Sequence, residues 1–152
     1  VVLLKQYNEQ GFVFYTNYQS EKGKAIAAQP QVCLSFFWSN MERQVIIKGI
    51  AIQLAEAQSD VYFASRPYGS QLGAIVSPQS SVIPNREFLE TKLHELEQSL
   101  SETTITRPEN WGGYLVEPVS IEFWQGRPNR LHDRIRYQLQ DDFSWTIDRL
   151  SP

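Results

Sequence analysis

The chain has 152 residues, 41% of them hydrophobic and 20% charged, which suits one compact domain with a sizeable core and excludes a disordered chain. A formal net charge of -3 and a pI near 5.4 argue against nucleic acid as the main partner, because phosphate binding by a protein surface needs a basic excess. Cys33 stands alone, so it forms no internal disulfide, and no CxxC or Cys/His zinc pattern exists.

The chain opens with "VVLLK", with no Met and no turn before it, and this reads as the middle of a strand. We therefore expect residues of the natural protein upstream of Val1. "VVLLKQY" and "GFVFYTN" are apolar runs rich in β-branched and aromatic residues, and "NEQG" between them makes a β-hairpin. "SEKGKAIAAQP" reads as a short helix capped by Ser20 and ended by Pro30. "QVCLSFFW" is a third strand, in which Cys33 is expected to be a buried thiol. "RQVIIKGIAIQLA" is a long fourth, with Gly49 allowing a bend or bulge.

"EAQSDVYFASRP" reads as a helix stopped before Pro67, and "YGSQLGAIVS" as a second helical piece. "NREFLETKLHELEQSLSE" is the clearest helix: Leu89, Leu93, Leu96 and Leu100 repeat at spacings of four, three and four and form one apolar stripe. His94 lies beside that stripe, as a helix-surface residue. The last third returns to strands in "WGGYLVEPVSIEFWQG", "RIRYQLQ" and "WTIDRL". No regular βαβ alternation is present. The order favours a mainly β fold with flanking helices (α+β), a small antiparallel barrel with helices at its ends, in a single domain over residues 1–152. No stretch approaches the roughly 18 apolar residues of a membrane span, and no signal peptide is visible, so a cytoplasmic protein without a membrane partner is expected.

No GxGxxG, GxxxxGK[ST] or GxSxG motif is present, and no His pair could hold a metal. What remains is a set of basic and hydroxyl side chains at five places. Lys5 ends the opening strand, where lysines are usually solvated. In "YTNYQSEKGK", Tyr15, Thr16, Ser20 and Lys22 precede or open a helix, which is either an ordinary N-cap or a phosphate site. Gln44 sits in an apolar strand and needs a partner, either a heteroaromatic ring or a neighbouring backbone. Tyr62 and Arg66 are four apart and would share one helix face, with Ser70 a turn beyond Pro67, a plausible phosphate cradle; Gln79 and Ser80 follow in a loop. The fifth place is "WQGRPNRLHDR": either a solvated basic loop or an anion site, in which Arg130, His132 and Arg134 would share one face if the segment is a strand. Two phosphate-sized anion sites beside the aromatic surface of Trp124 would suit a phosphorylated cofactor and a phosphorylated substrate.

The strings "FWQG…NRLHDR", "SRP…SQ.GA.VS.QSS" and "RQV", with "VLLK", "G.VFYTN", "WGGY" and "W.IDRLSP", resemble the pyridoxine/pyridoxamine 5′-phosphate oxidase family, in order and spacing from Val1 to Pro152. The resemblance implies an FMN-binding split β-barrel, a homodimer with FMN where two subunits meet, and oxidation of pyridoxamine or pyridoxine 5′-phosphate to pyridoxal 5′-phosphate, with O2 giving H2O2. It implies FMN contacts from Val1, Val2, Leu3, Leu4, Lys5, Tyr15, Thr16, Lys22, Gln44, Gln79, Ser80, Trp124 and Arg134. It places Lys5, Tyr62, Arg66 and Ser70 on the substrate phosphate, and Arg130 and His132 against the pyridine ring as the catalytic pair. The family commonly has Ser-Arg-Lys where this chain has Ser20-Glu21-Lys22; here Glu21 would point away, leaving Lys22 and Lys24 to meet the phosphate, or FMN binding would weaken. The family also has an arginine just before the position of Val1 and a longer N-terminal segment. Two alternatives stand beside this reading: another flavin oxidoreductase on the same barrel, and a non-catalytic FMN- or pyridoxal-phosphate-binding module.

Overall fold

A computed structural model of the protein describes residues 1–100 and 105–152. In chain order the strands and α-helices are β1 Gln6–Asn8, β2 Gly11–Asn17, α1 Glu21–Ala28, β3 Gln31–Trp38, β4 Arg43–Gln53, α2 Glu56–Ala64, α3 Tyr68–Val76, α4 Glu87–Ser99, β5 Trp111–Gln125, β6 Asp133–Leu139 and β7 Trp145–Arg149. Short 3-10 turns occupy Ser39–Met41 and Pro128–Arg130. The strands make one sheet in the order β1-β2-β5-β4-β3, with β6 pairing β5 and carrying β7. No helix among the described residues is long and apolar enough to cross a membrane.

The chain divides into two compact units. The first comprises Val1–Gln6, Val13–Ala28 and Gln53–Tyr114. Its core is aromatic: Phe14, Phe63, Trp111 and Tyr114 are buried with Val13 and Leu72, Phe14 stacks on Tyr114 at 5.5 Å, and Tyr18 meets Tyr114 edge-on at 5.3 Å. Ser20 caps α1 as expected: its Oγ accepts the Gly23 amide at 3.2 Å and donates to the Asn17 carbonyl at 2.7 Å. Helix α4 puts Leu89, Leu93 and Leu96 on one half-buried stripe, while His94 is exposed, as expected. It begins at Glu87, two residues after the expected start, and Ser101 and Glu102 of the expected helix lie outside the described residues.

The second unit comprises Tyr7–Phe12, Gln29–Ile52 and Leu115–Pro152. Strand β3 pairs antiparallel with β4 from Gln31↔Ile50 to Trp38↔Arg43, and β6 pairs β5 from Ser120↔Gln138 to Gln125↔Asp133. Period-2 alternation buries Ile47, Gly49 and Ala51 of β4. Gly49 makes no bulge, because the β3–β4 register runs through Val32↔Gly49 without a break. What demands glycine is close approach: a Cβ there would lie 2.3 Å from the Glu117 carbonyl oxygen.

Three expectations are corrected. Cys33 is exposed rather than buried, because alternation along β3 turns Val32, Leu34 and Phe36 inward and Cys33 outward. Val1–Leu4 hold no strand: pairing starts with the Lys5 amide on the Val13 carbonyl at 2.9 Å, and β1 proper at Gln6. Arg130, His132 and Arg134 do not alternate on one strand. Pro128 opens a 3-10 turn, Asn129 and Arg130 take left-handed φ values of 58° and 61°, and β6 begins only at Asp133.

Candidate functional site

In the first unit a cleft of about 530 Å³ gathers side chains from distant parts of the chain. The N-terminal segment supplies Val1, Val2, Leu3 and Lys5, and β2 supplies Tyr15 and Thr16. Tyr62 comes from α2, Arg66 from the α2–α3 connection, Ser70 from the first turn of α3, and Gln79 from the loop after it. Tyr62 and Arg66 do not share a helix face, because α2 ends at Ala64; a residue before proline is pushed out of the helical region, and Pro67 follows Arg66 directly. The turn still delivers both to one cleft. A second cleft of about 300 Å³ shares Arg66, Ser70, Gln79 and Trp111 with the first.

The wall is an aromatic stack. Tyr15 and Tyr62 lie ring on ring at 3.8 Å, Trp111 is near-parallel to Tyr62 at 6.2 Å, and Phe63 meets Trp111 at 69°. The Arg66 guanidinium lies over the Trp111 ring at 4.6 Å, and its Nη1 is buried with no hydrogen-bond partner among the described residues. Desolvation therefore lowers the Arg66 pKa from its ordinary value, with the Tyr62 phenol opposing. Burial raises the Tyr15 phenol, reinforced by Tyr62 and then Tyr18, so Tyr15 stays a neutral hydroxyl. The cleft thus presents an unpaired cation and hydroxyl donors, the chemistry an anionic group needs.

Gln79 organises the floor. Its Oε1 accepts from Thr16 Oγ1 at 2.9 Å, Lys22 Nζ at 3.1 Å and the Asn17 amide at 3.4 Å. Lys22 Nζ also lies 3.5 Å from Ser20 Oγ at the start of α1. Three residues expected at one site are therefore tied together, although they stand up to 63 positions apart. Ser80 follows with φ 70° and is exposed; Glu21 and Leu4 are exposed as well. Gly112 and Gly113 make room for the stack: a Cβ on Gly112 would lie 2.1 Å from the Tyr18 hydroxyl, and one on Gly113 2.8 Å from the Tyr15 ring. Trp111 was missed as a site residue, and the Trp-Gly-Gly step that opens β5 is the signal that could have found it.

The remaining expected residues lie in the second unit. The partner that Gln44 finds is neither a ring nor a backbone group: it donates to Ser35 Oγ across the strand pair at 3.3 Å. The rings of Trp124 and His132 are 4.9 Å apart, and the Arg127 amide donates to His132 Nδ1 at 3.1 Å. Arg134 pairs with Glu122 at 2.7 Å and donates to the Ser151 carbonyl at 3.0 Å. The bond to Glu122 raises the Arg134 pKa further above its already high value. Asp133 was missed too: its two oxygens take Arg127 Nε at 2.8 Å and Arg149 Nη1 at 2.7 Å. His132, Asp133, Arg149 and the terminal Leu150–Pro152 border an open cleft of about 390 Å³. Arg130 is exposed and makes none of these bonds.

A sequence model of the family described as pyridoxamine 5′-phosphate oxidase matches residues 1–100, and one described as the pyridoxine 5′-phosphate oxidase C-terminal dimerisation region matches residues 111–152. A pyridoxine/pyridoxamine 5′-phosphate oxidase of Flavobacterium johnsoniae is 70% identical over 99% of this chain and 71% of its own length. One of Actinobacillus succinogenes is 55% identical over all of this chain and 71% of its own. Among solved structures, PhzG from Burkholderia lata in complex with tetrahydrophenazine-1-carboxylic acid matches with TM-score 0.90 at 28% identity, over 99% of this chain and 73% of that one. A pyridoxamine 5′-phosphate oxidase-related, FMN-binding protein from Nostoc punctiforme matches with TM-score 0.76 at 16% identity, over 99% and 79%, and bears on the fold alone. The mainly β fold with flanking helices is thus the split β-barrel expected from the sequence. With both halves of the chain matched, and relatives this similar along its whole length, the protein belongs to the pyridoxine/pyridoxamine 5′-phosphate oxidase family.

Proposed function

We propose that the protein is an FMN-dependent oxidase that converts pyridoxamine or pyridoxine 5′-phosphate to pyridoxal 5′-phosphate, passes the electrons to O2 to give H2O2, and works as a cytoplasmic homodimer. The observation that carries this reading is the Arg66 guanidinium: desolvated, with one buried nitrogen unpartnered, in a cleft it shares with Lys5, Tyr62 and Ser70. A dianionic phosphate satisfies that nitrogen and offsets the desolvation. The capped start of α1, with Lys22, Thr16 and Gln79 beside it, fits the phosphate and ribityl chain of a flavin in the same way. The similarity to named oxidases adds the reaction class.

In this reading Lys5, Tyr62, Arg66 and Ser70 hold the substrate phosphate. Val1–Leu4, Lys5, Tyr15, Thr16, Lys22, Gln79 and Ser80 contribute to FMN binding, with Gln44, Trp124 and Arg134. FMN, when bound, supplies a two-electron acceptor. Arg130 and His132 act at the pyridine ring. Oxidation of the alcohol removes a hydride from C4′, taken by the two-electron acceptor, and releases the hydroxyl proton to water. Because His132 Nδ1 accepts from the Arg127 amide, the neutral ring presents an Nε2–H donor to that substituent. The Arg130 guanidinium orients the ring.

The test is to load the protein with FMN and add pyridoxine 5′-phosphate without oxygen while recording the flavin spectrum. Loss of the oxidised-flavin bands in step with aldehyde formation is the expected result. A flavin that stays oxidised points to a different donor or to a binding module. The PhzG neighbour, solved with a ring carboxylic acid, makes another flavin oxidoreductase the second reading. Bleaching by a donor without phosphate, but not by pyridoxine 5′-phosphate, would favour it.

A further inference from the structure

We propose that Trp111 is a positioning residue for Arg66: the indole face holds the guanidinium in the cleft in place of a carboxylate, and Arg107 with Asp60 fixes the indole. This deepens the proposed function and rests on the cleft taking a phosphorylated ligand.

Arg66 belongs to none of the ion pairs among the described residues, and its Nη1 is buried and unpartnered there. A carboxylate would hold it in place but would also neutralise it and occupy its donors. An aromatic face attracts a cation through the ring quadrupole and leaves every N–H free. Arg66 sits over two such faces, 4.6 Å from the Trp111 ring and 5.6 Å from the Phe63 ring. The lowered Arg66 pKa fits an uncompensated charge that an incoming anion would compensate.

Trp111 is itself firmly held. Its side chain is in the core, at 7% exposure. The near-parallel rings of Tyr62 and Tyr15 set its plane. Its carbonyl accepts Arg107 Nη1 at 2.6 Å, and Arg107 Nε reaches Asp60 Oδ1 at 2.6 Å. Asp60 belongs to α2, the helix that carries Tyr62 and Phe63. The Arg107 side chain is only 8% exposed, so one buried fork ties the start of β5 to α2 and fixes Trp111 against the elements that carry its stacking partners. Arg107 is spent on structure and Arg66 is kept for ligand.

A non-oxidisable pair of ligands tests this on the FMN-loaded protein: 4-deoxypyridoxine 5′-phosphate and 4-deoxypyridoxine, titrated calorimetrically into the wild type, Trp111→Phe, Trp111→Leu and Arg66→Ala. The wild type should favour the phosphorylated ligand. Trp111→Leu should lose about tenfold of that preference, and Trp111→Phe should keep most of it because a ring face remains. A Trp111→Leu protein that melts cooperatively yet keeps the full preference overturns the inference. A wild type with no preference overturns the phosphate reading of the cleft instead. Should Trp111→Leu fail to fold, the wild type decides alone. The Arg66 Nε–H proton should resonate upfield under the indole ring current and move when 4-deoxypyridoxine 5′-phosphate is added; an unshifted, unresponsive resonance overturns the inference.

Discussion

The backbone amide of Arg127 donates to Nδ1 of His132 at 3.1 Å, and that bond decides which ring nitrogen carries a proton. A nitrogen that accepts has none, so neutral His132 carries its proton on Nε2. Long-range proton–nitrogen spectra should show a pyridine-type Nδ1 for His132. A protonated Nδ1 in the neutral ring would refute the assignment. Two variants separate the nitrogens. His132→Asn offers an oxygen near the Nδ1 position and loses the donor, while His132→Gln offers an amide near the Nε2 position and loses the acceptor. If Nε2–H meets the substrate, the Asn variant should lose on the order of a hundredfold in kcat and the Gln variant less. Equal losses would mean that holding the loop matters more than donating.

Arg66→Ala removes the cation the cleft leaves unpaired. Charge-assisted hydrogen bonds contribute roughly 1.5–3 kcal/mol, so KM for the phosphorylated substrate should rise about ten- to a hundredfold. The kcat should change less, because a phosphate held remote from C4′ is bound alike before and during the reaction. Steady-state kinetics on pyridoxine 5′-phosphate decide it: an unchanged KM removes Arg66 from the phosphate site.

Glu21 stands in the first turn of α1, beside the Lys22–Gln79–Thr16 cluster. A carboxylate there favours the helix through its dipole, by about 0.3–1 kcal/mol, while repelling a phosphate at the same N-terminus. Glu21→Arg should therefore trade one for the other: the apoprotein melts slightly lower, and FMN binds several-fold tighter. Fluorescence titration of FMN together with apoprotein melting curves measures both arms. Tighter binding without loss of apoprotein stability would mean that Glu21 does not interact with the helix dipole, and unchanged FMN affinity would place the phosphate elsewhere.

Local patterns in the sequence located most elements. Strand β3 runs from Gln31 to Trp38 and β2 from Gly11 to Asn17, as their apolar runs predict. Lys5, Tyr15, Thr16, Tyr62, Arg66, Ser70 and Gln79, all singled out in the sequence, line the first unit's cleft, together with Trp111, which was not. What escaped depends on single backbone torsions or on distant partners. Prolines took Arg66 off a helix and Arg130 off a strand. The inward face of β3 was set by its pairing with β4, which left Cys33 outside. Trp111 gains meaning only when Arg66, 45 residues earlier, folds over it. No periodicity encodes that contact.

Asp133 gives the second unit a pH-dependent clamp. Its Oδ2 takes Arg127 and its Oδ1 takes Arg149, so one carboxylate joins the two ends of the segment that carries Arg130 and His132 to the last strand. The hydrogen bonds from Arg127 and then Arg149 lower its pKa below the ordinary 3.8. A group with a depressed folded value stabilises the fold above its unfolded value, and that stability disappears as pH falls through the folded value. Asp133→Asn should therefore melt below the wild type at pH 7, and the two should converge as pH falls below about 3.8. Both arginines are largely exposed, at 55% and 67%, so 1 M salt, with its screening length of about 3 Å, should shrink the gap at pH 7. Melting temperatures at pH 7 and pH 3, with and without salt, test this. A gap that stays constant from pH 7 to pH 3 would show that the carboxylate charge contributes nothing, and that the asparagine disturbs packing instead.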